Sequence, residues 1–126
     1  MTHKHILVVD DETNMRNTLA FILEAESYKV TTAEGGRKAL QKILEAEEDD
    51  RPINLVITDV VMPDMDGLEL IDEIRRLKPE LPVLVITAYG SEKMKKELKR
   101  KGISGYLSKP FKGEELLARV AALLNE

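Results

Sequence analysis

Short, unbroken apolar runs alternate along this chain with longer stretches in which apolar positions return every three or four residues. The clearest runs are His5-Ile6-Leu7-Val8-Val9, Asn54-Leu55-Val56-Ile57-Thr58 and Val83-Leu84-Val85-Ile86. Runs of this length with no polar relief predict strands buried on both faces of a parallel sheet. Tyr28 to Thr32 alternates as an edge strand does, and Ser104 to Ser108 makes a short fifth strand. Helical spacing fills the intervals. Thr13 or Asn14 caps a first helix running to about Glu26, with Met15, Leu19, Ile22 and Leu23 inward. Gly35-Gly36 opens a second, packed through Ala39, Leu40, Ile43 and Leu44, whose acidic tail from Glu45 to Asp50 is a solvated end and loop. Leu68, Ile71, Ile74 and Leu77 mark a third, ended by Lys78-Pro79. Ser91 caps a basic fourth helix with Met94 and Leu98 inward and Gly102 closing it. The last runs from Glu114 to Leu124, with an inward stripe of Leu117, Val120, Ala121 and Leu124.

Strand and helix thus alternate five times over short links, which predicts an α/β protein, a doubly wound (βα)5 parallel sheet with helices on both faces. Composition narrows the function more than the fold. At 126 residues, the expectation is a single domain spanning 1–126. A net charge of −4 and a pI near 5.3 give no overall pull toward nucleic acid or anionic membrane. The absence of cysteine excludes disulfides, thiol catalysis and thiolate metal sites. No apolar run reaches membrane-spanning length and no signal-peptide pattern opens the chain, so a cytoplasmic location is expected.

In a doubly wound sheet, ligands sit beyond the carboxyl ends of the strands, where strand order reverses. The residues predicted there are Asp10 and Asp11 after the first strand, Asp59 after the third, Thr87 after the fourth and Lys109 after the fifth. Three carboxylates in one place repel one another, and a hard divalent cation removes the conflict. With neither imidazole nor thiol at hand, Mg2+ is the expected occupant and zinc is not. Asp59 is then placed to attack a phosphoryl group, while the metal, Lys109 and the Thr87 hydroxyl take up charge on its oxygens. The small Ala88 leaves its backbone N–H accessible to the same group.

The segments Ile6-Leu-Val-Val-Asp-Asp-Glu12, Thr58-Asp-Val-Val-Met-Pro-Asp-Met-Asp-Gly67, Val85-Ile-Thr-Ala88 and Lys109-Pro-Phe111 together resemble the receiver domain of two-component response regulators, over essentially the whole chain. The resemblance implies a flavodoxin-like sheet with strand order 2-1-3-4-5. It implies that Asp59 is the phosphoacceptor, fed by the phosphohistidine of a sensor histidine kinase or a histidine phosphotransfer protein. Asp11 and Asp59 would hold Mg2+ directly, Asp10 through water and Val61 through its backbone carbonyl. Thr87 resembles the switch hydroxyl, Tyr106 the switch aromatic and Lys109 the phosphate-binding lysine, and the Lys109-Pro110 bond is expected to be cis. Such a protein is a signalling phosphoacceptor that catalyses only its own phosphorylation and slow dephosphorylation, not an enzyme acting on outside substrates.

The same resemblance makes the fourth helix, fifth strand and fifth helix the output surface, read by a downstream domain or protein or used as a homodimer seam. Lys93, Lys95, Lys96, Lys99, Arg100 and Lys101 make that fourth helix basic, either as a solvated face or as a partner-steering patch. Leu116 and Leu123 add apolar surface beside the inward stripe of the last helix. Asn14, Met15 and Thr18 flank the acidic mouth and are the expected kinase contacts. His3 and His5 fall on one face of a strand with no third ligand nearby, which argues against a metal there. A flavin site would need a phosphate-cradling loop where Asp10-Asp11-Glu12 stands. An aspartate phosphatase would want an acid at Val61. Nothing is left over for a DNA-reading helix, so no direct nucleic-acid contact is expected.

Overall fold

The computed structural model describes residues 3–88, 90–103 and 105–125. Five strands, β1 (His5–Val9), β2 (Lys29–Ala33), β3 (Leu55–Thr58), β4 (Val83–Thr87) and β5 (Gly105–Ser108), form one parallel sheet in the order β2-β1-β3-β4-β5. Helices α1 (Thr13–Ala25), α2 (Gly36–Glu48), α3 (Gly67–Leu77), α4 (Glu92–Arg100) and α5 (Gly113–Leu123) connect and follow them. Strand order reverses between β1 and β3, since the chain leaves β1 for β2 on one side and returns to β3 on the other.

The unbroken apolar runs are explained by the two cores they feed. Successive strand side chains point to opposite faces. Leu7, Val9, Val56, Val83 and Val85 accordingly join Ala39, Ile43, Leu70, Ile71, Ile74 and Leu98 from α2, α3 and α4. Ile6, Val8, Leu55, Ile57, Leu84 and Ile86 face Leu19, Leu23, Leu116 and Val120 from α1 and α5. A strand with one solvated face would have shown alternation instead.

Several helix details differ from the sequence reading, most of them by a rotation of the buried stripe. Leu44 is 50% exposed and Ala46 is buried in its stead, because α2 continues to Glu48 and keeps its acidic end on the outside. On α3 the core position is Leu70, while Leu77 at the last turn is 44% exposed. On α5 the stripe is Leu116, Val120 and Leu124, with Leu117, Ala121 and Leu123 at its margins, so Leu116 is core and no surplus. The first helix is entered through Glu12 without a side-chain cap, not through Thr13 or Asn14. The turn leading into it is closed by Asp10, whose Oδ1 accepts from Glu12 N–H at 2.9 Å. Ser91 does cap α4, its hydroxyl accepting from Met94 N–H, and Gly102 follows at φ +79°. The expected start of the fifth strand at Ser104 lies outside the described residues.

His5 is a structural residue at the opposite end of the sheet from the acids. It is buried, its Nδ1 lies 2.8 Å from the Arg51 carbonyl and its Nε2 lies 2.7 Å from the Thr31 hydroxyl. The carbonyl can only accept, so Nδ1 carries the proton and Nε2 accepts from Thr31. Both ring nitrogens are thereby used in tying β1 to β2 and to the segment before β3.

Gly67 holds the loop after β3 in register. Its N–H donates to the Val60 carbonyl at 2.9 Å, and Asp66 caps α3 through Leu68 N–H at 2.8 Å. A Cβ at 67 would overlap the Val60 backbone and come within 2.6 Å of the Asp59 carbonyl oxygen. Backbone cannot swing aside as a side chain does. Gly67→Ala is therefore expected to cost about 2–3 kcal/mol, read as a lower urea midpoint at unchanged m-value.

Candidate functional site

The two strands that flank the reversal each end in a buried acid. Asp10 follows β1 and Asp59 follows β3, exposed by only 3% and 7%. The ladder carries both into place, since Asp10 N–H donates to the Ala33 carbonyl and Asp59 N–H to the Val9 carbonyl. Two carboxylates at this depth demand compensation. Lys109 supplies it from the end of β5, with Nζ at 3.1 Å from Asp10 Oδ2 and 2.9 Å from Asp59 Oδ2. The lysine is itself fixed by its N–H donating to the Thr87 carbonyl at 3.0 Å. The Lys109–Pro110 peptide bond is cis.

Asp59 is the most heavily bonded of these groups. Its Oδ1 accepts from Val60 N–H at 2.6 Å and Val61 N–H at 3.2 Å, and the fully buried Thr87 hydroxyl favours the ionised form of the same carboxylate. Burial alone would raise its pKa. The Lys109 ammonium, the Val61 N–H and the Thr87 hydroxyl outweigh burial and hold the carboxyl below its ordinary value. For Lys109, burial works against the charge, and its hydrogen bonds to Asp59 and Asp10 reverse that and raise its pKa above the usual lysine value. Asp59 therefore stands ionised and oriented at neutral pH.

These residues border a cleft of about 530 Å3 lined by Asp10, Asp11, Glu12, Met15, Asp59, Val61, Ala88 and Lys109. Of the residues singled out from the sequence, Asp10, Asp59, Thr87 and Lys109 are joined by hydrogen bonds, while Asp11, Val61 and Ala88 share the cleft wall. Tyr106 is not in the cleft. It packs against the α2–α4 core, beside Gly90, with Lys95 Nζ 5.3 Å from its ring centre. Arg16 had no sequence signal of its own, yet its guanidinium donates to the Asp10 carbonyl at 2.7 Å and ties α1 to the acidic turn. Among the described residues no three acidic or histidine side chains converge closely enough to make a ready-built metal cage. The acidic side chains lining the cleft nonetheless offer oxygen donors, the kind that suits a hard divalent cation.

A doubly wound sheet with acids at its order reversal, and a lysine and a hydroxyl beside one of them, defines a flavodoxin-like α/β protein with a charged cleft at its strand ends. The chain matches the response regulator receiver domain over residues 6–121 and belongs to that family. It is 40% identical over 120 residues to the transcriptional regulatory protein ResD of Bacillus subtilis, covering 95% of this chain and 48% of ResD. To the response regulator MprA of Mycolicibacterium vanbaalenii it is 44% identical, covering 95% of this chain and 50% of MprA. The chain thus spans about half the length of these relatives. Among solved structures, the Vibrio cholerae chemotaxis protein CheY4 superposes with a TM-score of 0.89 at 34% identity, covering 98% of this chain and 100% of that one. The response regulator TrrA of Thermotoga maritima, solved in complex with Mg2+ and BeF, gives 0.83 at 38% identity, covering 96% and 99%. No described helix is long and apolar enough to cross a membrane.

Proposed function

We propose that Asp59 is the phosphoacceptor of this receiver domain, taking its phosphoryl group from the phosphohistidine of a sensor histidine kinase or histidine phosphotransfer protein. The observation that carries this reading is the Asp59 carboxylate itself. It is ionised, fixed through Oδ1 by two backbone N–H groups, paired through Oδ2 with Lys109, and set in the wall of the cleft. In the transfer the histidine N–P bond breaks as an Asp59 O–P bond forms, and charge accumulates on the three phosphoryl oxygens. Lys109 would pair with one of those oxygens and the Thr87 hydroxyl would donate to another. The backbone N–H of the small, exposed Ala88 is available to the same group.

The oxygen donors fit Mg2+, with Asp11 and Asp59 as direct ligands, Asp10 acting through water and Val61 through its carbonyl. When bound, the cation would supply neutralisation of the phosphoryl charge. TrrA, solved in complex with Mg2+ and BeF, supports a Mg2+ ion in this kind of domain.

The response is a two-state bias in which a phosphoryl group draws on the Thr87 hydroxyl, and Tyr106 reports the change to the surface formed by α4, β5 and α5. That surface would be read by a downstream output domain or protein, or by a second copy of the chain. Slow autodephosphorylation returns the domain to rest, and the cytoplasm is the compartment that suits a kinase-fed signal.

The test is the intact mass of the protein after incubation with acetyl phosphate. One Mg2+-dependent phosphoryl adduct, abolished when EDTA removes the cation, is the expected outcome. A folded protein that gains no adduct with Mg2+ from either acetyl phosphate or a phosphorylated kinase would overturn the proposal.

A further inference from the structure

The loop that leaves Asp59 is held at its far end by a contact that the reaction chemistry does not account for. Asp64, on the loop between β3 and α3, reaches across to the amino end of α2. Its Oδ1 accepts from Gly36 N–H and its Oδ2 from Arg37 N–H, both at 3.2 Å. A carboxylate across two free N–H groups at a helix start satisfies donors that have no partner within the helix, and it complements the helix dipole. Helix α2 has no side-chain cap of its own, because its N-cap is Gly35. Asp64 does that work from 27 residues downstream.

The glycine pair makes room for it. A Cβ at Gly35 would come within 2.6 Å of the Asp64 carboxyl carbon, and one at Gly36 within 2.7 Å of the Met65 sulfur. Gly35 has φ −170°, an extended conformation open to any residue, so what a side chain would disturb there is the carboxylate and not the backbone. Met62, between the two ends of the loop, is buried. The segment from Val60 to Met65 is thus pinned at one end by Asp59 Oδ1 and Gly67, and at the other by Asp64 on α2.

We infer that Asp64 is a positioning residue: its clip on α2 fixes the loop that carries Val61, and so sets how well the cleft holds a divalent cation. The inference rests on the phosphoacceptor reading and adds to it the control of loop geometry by α2. Asp64 lines no part of the cleft, so it acts only through Val61 and its neighbours.

Three variants of this chain separate this role from charge and from general stability. Asp64→Ala removes the clip and a negative charge. Gly35→Ala keeps the charge and displaces the carboxylate. Asp64→Asn removes the charge and keeps an acceptor oxygen. In the metal-free protein, amide hydrogen exchange at Gly36, Arg37 and Val61 is expected to quicken roughly tenfold in Asp64→Ala and Gly35→Ala, and less in Asp64→Asn. The Mg2+ concentration giving half-maximal phosphorylation by acetyl phosphate should rise roughly tenfold in the same two variants, with the rate at saturating Mg2+ unchanged because Asp59, Thr87 and Lys109 are untouched. A shift in Asp64→Ala and Asp64→Asn but not in Gly35→Ala would show a charge effect and overturn the clip. Wild-type exchange and wild-type Mg2+ dependence in all three would overturn it as well. A wild-type protein that takes no phosphoryl group would instead sink the underlying reading, while the exchange result would still stand or fall by itself.

Discussion

Asp59→Asn is expected to take up no phosphoryl group from acetyl phosphate, with Mg2+ present or absent, while remaining folded. The amide oxygen keeps the acceptor that Val60 and Val61 N–H use, and Lys109 keeps its second partner, Asp10. What is lost is the anionic oxygen that attacks phosphorus, and a neutral amide is no substitute for an activated carboxylate nucleophile. Intact mass after incubation reads the result, and an adduct on the variant equal to that on the wild type would assign the chemistry to another residue. The variant also isolates a pH effect. Because the folded-state pKa of Asp59 lies below 3.8, its ionisation contributes stability that is complete above 3.8 and is lost as pH falls through the folded value. In metal-free buffer, the urea midpoint of Asp59→Asn should therefore decline less than that of the wild type as the solution is acidified below 3.8.

Lys109→Met is expected to separate phosphoryl transfer from cation binding. The ammonium reaches Asp10 and Asp59 together, and removing it should slow phosphorylation by about a hundredfold or more. The same change leaves two buried carboxylates facing each other without a counter-charge, which should cost about 3 kcal/mol in metal-free buffer. It also removes the ammonium that competes for both carboxylates, so Mg2+ should bind the variant at least as tightly as the wild type and restore more stability to it. Calorimetric Mg2+ titration and urea melts with and without Mg2+ read these effects. Loss of Mg2+ binding alongside phosphorylation would make Lys109 a support for the cation site instead. The linkage sign is opposite to that of Asp59. The raised Lys109 pKa contributes stability that is complete below 10.5 and is lost as pH rises through the folded value, so the variant should lack that alkaline decline.

The sheet and the family were legible because strands buried on both faces write themselves as unbroken apolar runs, and because acids, a hydroxyl and a lysine stand at the ends of four of the strands. The stripe positions on the helices were harder to read. Leu44 and Leu70 carry the same hydrophobicity, and which of them is buried depends on the angle at which each helix lies on the sheet, a tertiary quantity. The cap of α1 was misplaced by one position, since Thr13 already stands in the first helical turn and the Arg16 N–H that its side chain would have capped bonds the Glu12 carbonyl. Within the site, the sequence grouped the acids with Lys109 but could not show that the ammonium bridges Asp10 and Asp59 directly, because that depends on how β5 lies relative to β1 and β3. Asp64 had only an indirect signal, a glycine pair at a helix start where one glycine would have sufficed. Arg16 had none, as one arginine on an amphipathic helix looks like any other.

The placement of Asp10 and Asp59 on β1 and β3 has a bearing on how the site ages and fails. These two strands lie inside the sheet, with helices over both faces and a hydrogen-bonded neighbour on each side. Fraying of an edge strand or a terminal helix removes neither carboxylate. To separate the two acids, the centre of the molecule must come apart.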